Sequence, residues 1–296
     1  MTPPAASGGT AARVLTAAVL IPLVVAAAWW GPTWLIAVVT GGVILLALYE
    51  FFRLGVQVGM RGYFRWTVVC ALLLVAQQWA ASEIQTFSLG SQLTVQRGGG
   101  PAYVSLELVL LLFALGAGVI ALGARRGLAE TLPALGISAA GLLLIALPMS
   151  YVVRLHGLER LGPQLLLFTL ALIWAGDTLA YFTGRAIGRI PMAPLLSPKK
   201  TWEGAAGNLV GSLIVAIAFA RWIEIEAMHL LLMAAAANLA GQVGDLVESA
   251  YKRSAGAKDS GVLLPGHGGM LDRIDSLIFA APVVWCYFEV VIQGRI

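Results

Sequence analysis

The chain has 296 residues, of which 59% are hydrophobic and only 11% charged, with a formal net charge of +4 and a mean hydropathy of +0.86. An ordinary soluble domain carries about 25% charged residues. These values exclude a soluble globular protein and point to an all-α, polytopic membrane bundle.

Apolar runs of the length needed to cross ~30 Å of hydrocarbon recur along the chain. Residues 1–11 read as a short disordered tail. Nine spans are expected, at about 12–30, 33–52, 64–82, 103–124, 133–153, 164–184, 205–222, 228–250 and 274–293. The first five make an N-terminal unit, residues 12–160. The last four make a C-terminal unit, residues 161–296, which carries the most charged loops. The loop 83–102 is the longest connection without a chemical signature. Gly207 and Gly211 form a G-x-x-x-G, a pattern of close helix packing. Cys70 and Cys286 lie far apart inside apolar runs and read as small packing residues.

Basic residues set the orientation. One side collects Arg13, Arg53, Arg61, Arg65, Arg125, Arg126, Arg185, Arg189, Lys199, Lys200, Lys252, Arg253, Lys258 and Arg273. The other has Arg97, Arg154, Arg160, Arg221 and Arg295. The N-terminus is therefore expected in the cytoplasm, with the loops after the sixth and eighth spans on the same side.

Two clusters of polar residues carry the chemistry. In the sixth span Trp174, Asp177, Tyr181 and Arg185 share a helix face, and the loop beyond it packs Ser197, Lys199, Lys200, Thr201 and Glu203 together. Adjacent lysines between hydroxyls suit phosphate. Thr201 and Glu203 also suit a helix start. In the eighth span Asn238, Gln242, Asp245, Ser249 and Lys252 fall on one face, with Glu248 beside them. Such a stripe must face protein or water, and an intramembrane carboxylate marks a functional site. Asn238 and Gln242 equally suit interhelical hydrogen bonding. The following loop holds Lys252, Arg253, Lys258, Asp259 and His267 among five glycines, and glycine-rich backbone approaches phosphate closely. Asp272 and Asp275 open the ninth span, where one can cap the helix and both, with Asp245, suit a metal–nucleotide.

These residues resemble the phosphatidate cytidylyltransferase (CDP-diacylglycerol synthase) family. Its signature is matched by Ser249, Lys252-Arg253, Lys258-Asp259, Pro265, His267-Gly268-Gly269, Asp272-Arg273 and Asp275. Tyr251 departs conservatively from the family pattern. Gly176-Asp177, Tyr181, Gly184-Arg185 and the SPKKTWEG segment are also similar, so the likeness covers roughly 165–280. It implies transfer of a cytidylyl group from CTP to phosphatidic acid. It also implies Mg²⁺ or a similar divalent ion, and admits an assisting monovalent ion such as K⁺. By that likeness Asp245 and Asp272 are metal ligands, with Asp275 orienting them or Arg273. Lys252, Arg253, Lys258 and His267 would hold phosphates, and Asp259, Ser249, Gly268 and Gly269 would line the nucleotide site. Lys199 and Lys200, with Ser197, Thr201 and Glu203 around them, would meet the lipid headgroup or the triphosphate. Asp177 is an outer or additional metal candidate. The expected partners are CTP, phosphatidic acid and the bilayer, with no nucleic acid; a homodimer is compatible. The expected location is a bacterial inner (plasma) membrane, the site facing the cytoplasm. Two alternatives stand beside this reading: a CTP-dependent polyprenol or phytol kinase, which would transfer the γ-phosphate, and an ion-coupled transporter using Asp177 and Asp245.

Overall fold

A computed structural model describes residues 10–82, 85–89, 93–97, 104–124, 127–261 and 268–294. Nine long helices lie among them. They are α1 (Thr10–Trp30), α2 (Thr33–Gln57), α3 (Phe64–Ser82), α4 (Leu106–Gly123) and α5 (Leu128–His156), then α6 (Gly162–Ile187), α7 (Trp202–Phe219), α8 (Ala227–Ser254) and α9 (Leu271–Ile292). Eight are long and apolar enough to cross a membrane, and α1 adds the apolar stretch Ala18–Trp30. The nine expected spans are thus matched helix for helix.

The differences are local. Helix α1 begins at Thr10, inside the expected tail, and residues 1–9 lie outside the described residues. Helix α5 passes through a π-turn at Leu142–Ala146. That turn precedes Pro148, which has no N–H to return to the preceding turn, and a wider turn absorbs the mismatch. Helix α8 runs four residues beyond its expected end, so Lys252 and Arg253 stand in its last turn rather than in a loop.

Two antiparallel hairpins were not expected. Strands β1 (Gln85–Leu89) and β2 (Leu93–Arg97) pair within the loop after α3; the rest of 83–102 falls outside the described residues. Strands β3 (Pro191–Ala193) and β4 (Ser197–Thr201) pair between α6 and α7 and place both lysines of the SPKKT segment on one strand.

The alternation of nine helices is visible in the contacts at each end. At one end His156 of α5 bonds Thr33 Oγ1 (3.1 Å) and the Ala28 carbonyl (3.2 Å), Arg160 pairs with Glu224, and His229 meets Tyr287. At the other, the ends of α2, α6 and α8 gather with the starts of α7 and α9. One apolar core of buried side chains, from Ala28 to Phe288, joins the two halves of the chain. Outward-facing Leu111, Leu115 and Val119 on α4 are what a lipid-facing surface requires.

Glycines bring two pairs of helices unusually close. A Cβ on Gly211 would sit 2.7 Å from the Ala175 carbonyl oxygen, and one on Gly207 2.5 Å from Thr183 Oγ1, so the G-x-x-x-G seats α7 on α6. A Cβ on Gly244 would lie 2.4 Å from the Asp275 carbonyl oxygen. Its absence lets α9 approach α8 at the level of Asp245. Both cysteines are free thiols; Cys70 is buried, as expected of a packing residue, whereas Cys286 is exposed.

Candidate active site

Helices α6, α7 and α8 and the β3–β4 hairpin enclose an open cavity of about 420 Å³. Asp177, Tyr181 and Arg185 line it from α6, Lys199, Lys200 and Thr201 from the hairpin, and Gln242 and Asp245 from α8. Arg185 donates to Tyr181 Oη (2.9 Å), which holds the guanidinium along the wall. Trp174, on the same face by spacing, is not part of the lining. Lys200 forms an ion pair with Asp245 across the cavity floor.

Behind Asp177 a polar chain runs into the bundle. Asn208 Nδ2 donates to Asp177 Oδ1 (3.2 Å), Asn238 Nδ2 donates to Asn208 Oδ1 and to Ser212 Oγ (2.7 Å), and Gln242 Nε2 donates to Asn238 Oδ1 (2.7 Å). Asn238 thus bonds between helices, and Gln242 Nε2 also donates across to the Ala205 carbonyl of α7 (3.4 Å). Asn208 had no place in the sequence reading, although a lone amide in an apolar helix is the signal that marks it.

Asp245 also belongs to a second grouping. Asp245, Glu248 and Asp275 each present a carboxylate oxygen, all within 4.8 Å of one another. It is the one such acidic trio among the described residues. Hard carboxylate oxygens at this spacing fit a divalent cation of the Mg²⁺ type, which keeps some ligand positions for phosphate or water. Glu248 is buried at 3% exposure and had been given no role of its own.

Asp272 stands apart from that trio because other donors occupy it. Its Oδ1 accepts from Lys252 Nζ (2.6 Å), and its Oδ2 from Ser260 N (3.0 Å), Ser260 Oγ (3.0 Å) and Gly269 N (2.9 Å). Lys252 also reaches Glu248 Oε2 at 2.5 Å. Its ammonium therefore bridges two carboxylates in the protein interior and does not line the cavity. Arg253 donates through Nε to the Leu196 carbonyl (3.0 Å) and through a terminal nitrogen to that of Ala257 (2.8 Å), tying the hairpin turn to the end of α8.

Thr201 caps α7, accepting from Gly204 N at 3.1 Å, and the Glu203 carboxylate accepts from Ile190 N at 3.3 Å. Ser197 lies in β4, Ser249 is buried in α8, and Lys258, Asp259 and Arg273 are exposed. Gly268 takes φ +81°, a left-handed conformation that favours glycine, and Gly269 is buried against Ser260 and Glu50. His267 and Pro265 lie outside the described residues.

Glu50, like Asn208, has no place in the sequence reading. It is 1% exposed on α2, yet its carboxylate accepts from Ser260 Oγ (2.8 Å), Met270 N (2.9 Å) and Leu271 N (2.8 Å) at the start of α9. An ionisable residue inside an expected span was the available signal.

A model of the cytidylyltransferase family matches residues 11–291. The chain belongs to the cytidylyltransferase family. Among its relatives is the phosphatidate cytidylyltransferase of Brucella abortus biovar 1 (strain 9-941), 33% identical over 264 residues, which cover 86% of this chain and 91% of that one. The Bacillus subtilis (strain 168) protein of the same name is 40% identical over 143 residues, 48% of this chain and 53% of that one, so that match spans about half of the relative. The Haemophilus influenzae protein of that name is 43% identical over 127 residues, 41% of this chain and 44% of its own. A member of this family with long apolar helices is a multi-pass membrane protein, and both polar clusters fall within the matched residues.

Proposed function

We propose that the protein transfers the cytidylyl group of CTP to phosphatidic acid, giving CDP-diacylglycerol and pyrophosphate. The observation that carries this reading is the cavity in which Arg185, Lys199 and Lys200 face Asp177 and Asp245. An oxygen of the lipid phosphate attacks the α-phosphorus of CTP, and the bond to the β-phosphate oxygen breaks. The attacking phosphate is already an anion and needs no strong base. What opposes the reaction is repulsion between two polyanions, and fixed cations relieve it.

Arg185, Lys199 and Lys200 would bind the phosphates along the cavity wall. Asp245, Glu248 and Asp275 would hold Mg²⁺. When bound, that ion supplies positive charge to the triphosphate and to the departing pyrophosphate. Lys252 keeps Glu248 and Asp272 close despite their like charge. Arg253 holds the hairpin, and with it Lys199 and Lys200, against α8. Arg273, Lys258 and Asp259 stay candidates for the cytoplasmic rim of the nucleotide site, with His267 in the adjoining segment. The protein would sit in a bacterial inner membrane with this end in the cytoplasm, the side to which positively charged loops are retained. CTP is available there, and the lipid phosphate can enter from the inner leaflet.

The test is to incubate the detergent-purified protein with CTP labelled at the α-phosphate, phosphatidic acid and Mg²⁺, with an EDTA control. Label entering the lipid fraction, with pyrophosphate released only when metal is present, is the expected result. CDP as product would instead indicate phosphoryl transfer to a lipid alcohol.

A further inference from the structure

The N-terminal helices carry no motif, yet one of their side chains reaches into the site. Glu50 meets residues 210 to 221 positions away in sequence. Its Oε1 accepts from Met270 N, and its Oε2 from Leu271 N and Ser260 Oγ. Met270 and Leu271 begin α9, so Glu50 acts as a helix cap contributed by another helix. Ser260 Oγ lies 2.8 Å from Glu50 Oε2 and 3.0 Å from Asp272 Oδ2, which makes it a bridge between the two carboxylates. Space is reserved for this arrangement: a Cβ on Gly261 would fall 2.5 Å from Glu50 Oε1, and one on Gly269 2.5 Å from Glu50 Oε2. Next to Glu50, Phe51 packs edge-on against Tyr251 at 5.2 Å, one residue before Lys252.

We infer that Glu50 is a positioning residue for the site: it fixes the start of α9 and the Ser260–Gly261 backbone, and through them the carboxylates of Asp272 and Asp275. Asp275 lies one helical turn beyond Leu271, so any shift of that first turn moves it relative to Asp245 and Glu248. The inference rests on the metal and substrate reading above. Glutamine cannot replace Glu50, because one of its two terminal atoms is a donor and must face either Met270 N or the pair Leu271 N and Ser260 Oγ.

The test compares wild type, Glu50→Gln, Ser260→Ala and the double variant. Two quantities are read: the Mg²⁺ concentration for half-maximal CDP-diacylglycerol formation, and the rise in unfolding temperature caused by Mg²⁺ without substrates. Partners that orient metal ligands typically change affinity or activity by ~10–100-fold. Glu50→Gln is expected to raise half-saturating Mg²⁺ at least ~10-fold and to shrink the Mg²⁺-dependent temperature rise. Ser260→Ala should act in the same direction but less, and the double variant should fall short of the product of the two effects. A Glu50→Gln protein that unfolds at lower temperature yet keeps wild-type half-saturation and the full Mg²⁺-dependent rise overturns the inference. Should that variant fail to fold, wild-type Mg²⁺ responses in Ser260→Ala overturn it equally. A wild-type protein that gives no labelled lipid strikes the functional reading instead, and the Mg²⁺-dependent temperature rise still decides the role of Glu50.

Discussion

Lys252 Nζ lies 2.6 Å from Asp272 Oδ1, joining the last turn of α8 to the first turn of α9. Both side chains are 12% exposed, so the pair is withdrawn from water. The same ammonium meets Glu248, and the loop between the two helices is thereby closed at its base.

Replacing Lys252 by Met leaves Glu248 and Asp272 buried and without their shared cation. Breaking a buried pair in this way costs about 3–5 kcal/mol. The expected outcome is a large fall in unfolding temperature together with loss of activity, measured by thermal unfolding in detergent and by lipid labelling. Retained stability in Lys252→Met would show that the pair does not hold the loop.

Asp245→Asn should separate activity from stability. The Lys200–Asp245 side chains are about 30% exposed on each side, and removing the Asp245 charge also relieves its repulsion from Glu248 and Asp275 in the acidic trio, which offsets the loss of the pair. Unfolding temperature should therefore change little. Activity should drop by ~100-fold or more, beyond the usual effect of an outer partner of a metal site. Mg²⁺ titration of the residual activity checks the assignment: unchanged half-saturation would remove Asp245 from the ligand set.

Arg253→Ala releases the carbonyls of Leu196 and Ala257. Hydrogen bonds from a charged donor are worth about 1.5–3 kcal/mol. The hairpin carrying Lys199 and Lys200 should loosen, raising KM for CTP about tenfold or more, the factor that 1.4 kcal/mol represents. Steady-state kinetics would show whether kcat stays within about twofold, as it must if Arg253 only positions the hairpin.

Gly211→Ala should be harmful where Gly136→Ala is not. The added methyl at 211 would meet backbone of α6 at 2.7 Å, whereas nothing lies within 4 Å at 136. Overpacking of a closed contact costs about 1–3 kcal/mol. Because α6 and α7 form two walls of the cavity, Gly211→Ala should reduce both unfolding temperature and activity, and Gly136→Ala should leave both near wild type.

Most of the fold was legible in the chain. Hydrocarbon demands a length and a composition of each span, and nine apolar runs satisfied it at nearly the observed positions. The polar stripe on α8 and the charged ends of α6 and α9 were legible for the same reason, since a polar group in such a helix must have a partner. The two hairpins were not, because short strands outside the membrane carry no periodic signal strong enough to compete with loop. Nor was the division of labour among the acidic residues. Asp272 and Asp275 are three positions apart and look alike in sequence. Only tertiary structure sends one to Lys252, Ser260 and Gly269 and the other to Asp245 and Glu248. Glu50 makes the same point across the whole chain: its sequence neighbours are apolar and aromatic, and its partners lie more than two hundred residues away. Local sequence determined which segments enter the membrane and which residue types could carry the chemistry. Which carboxylate faces which donor was decided by how the helices pack, because a hydrogen bond depends on a few ångströms of position that no local pattern encodes.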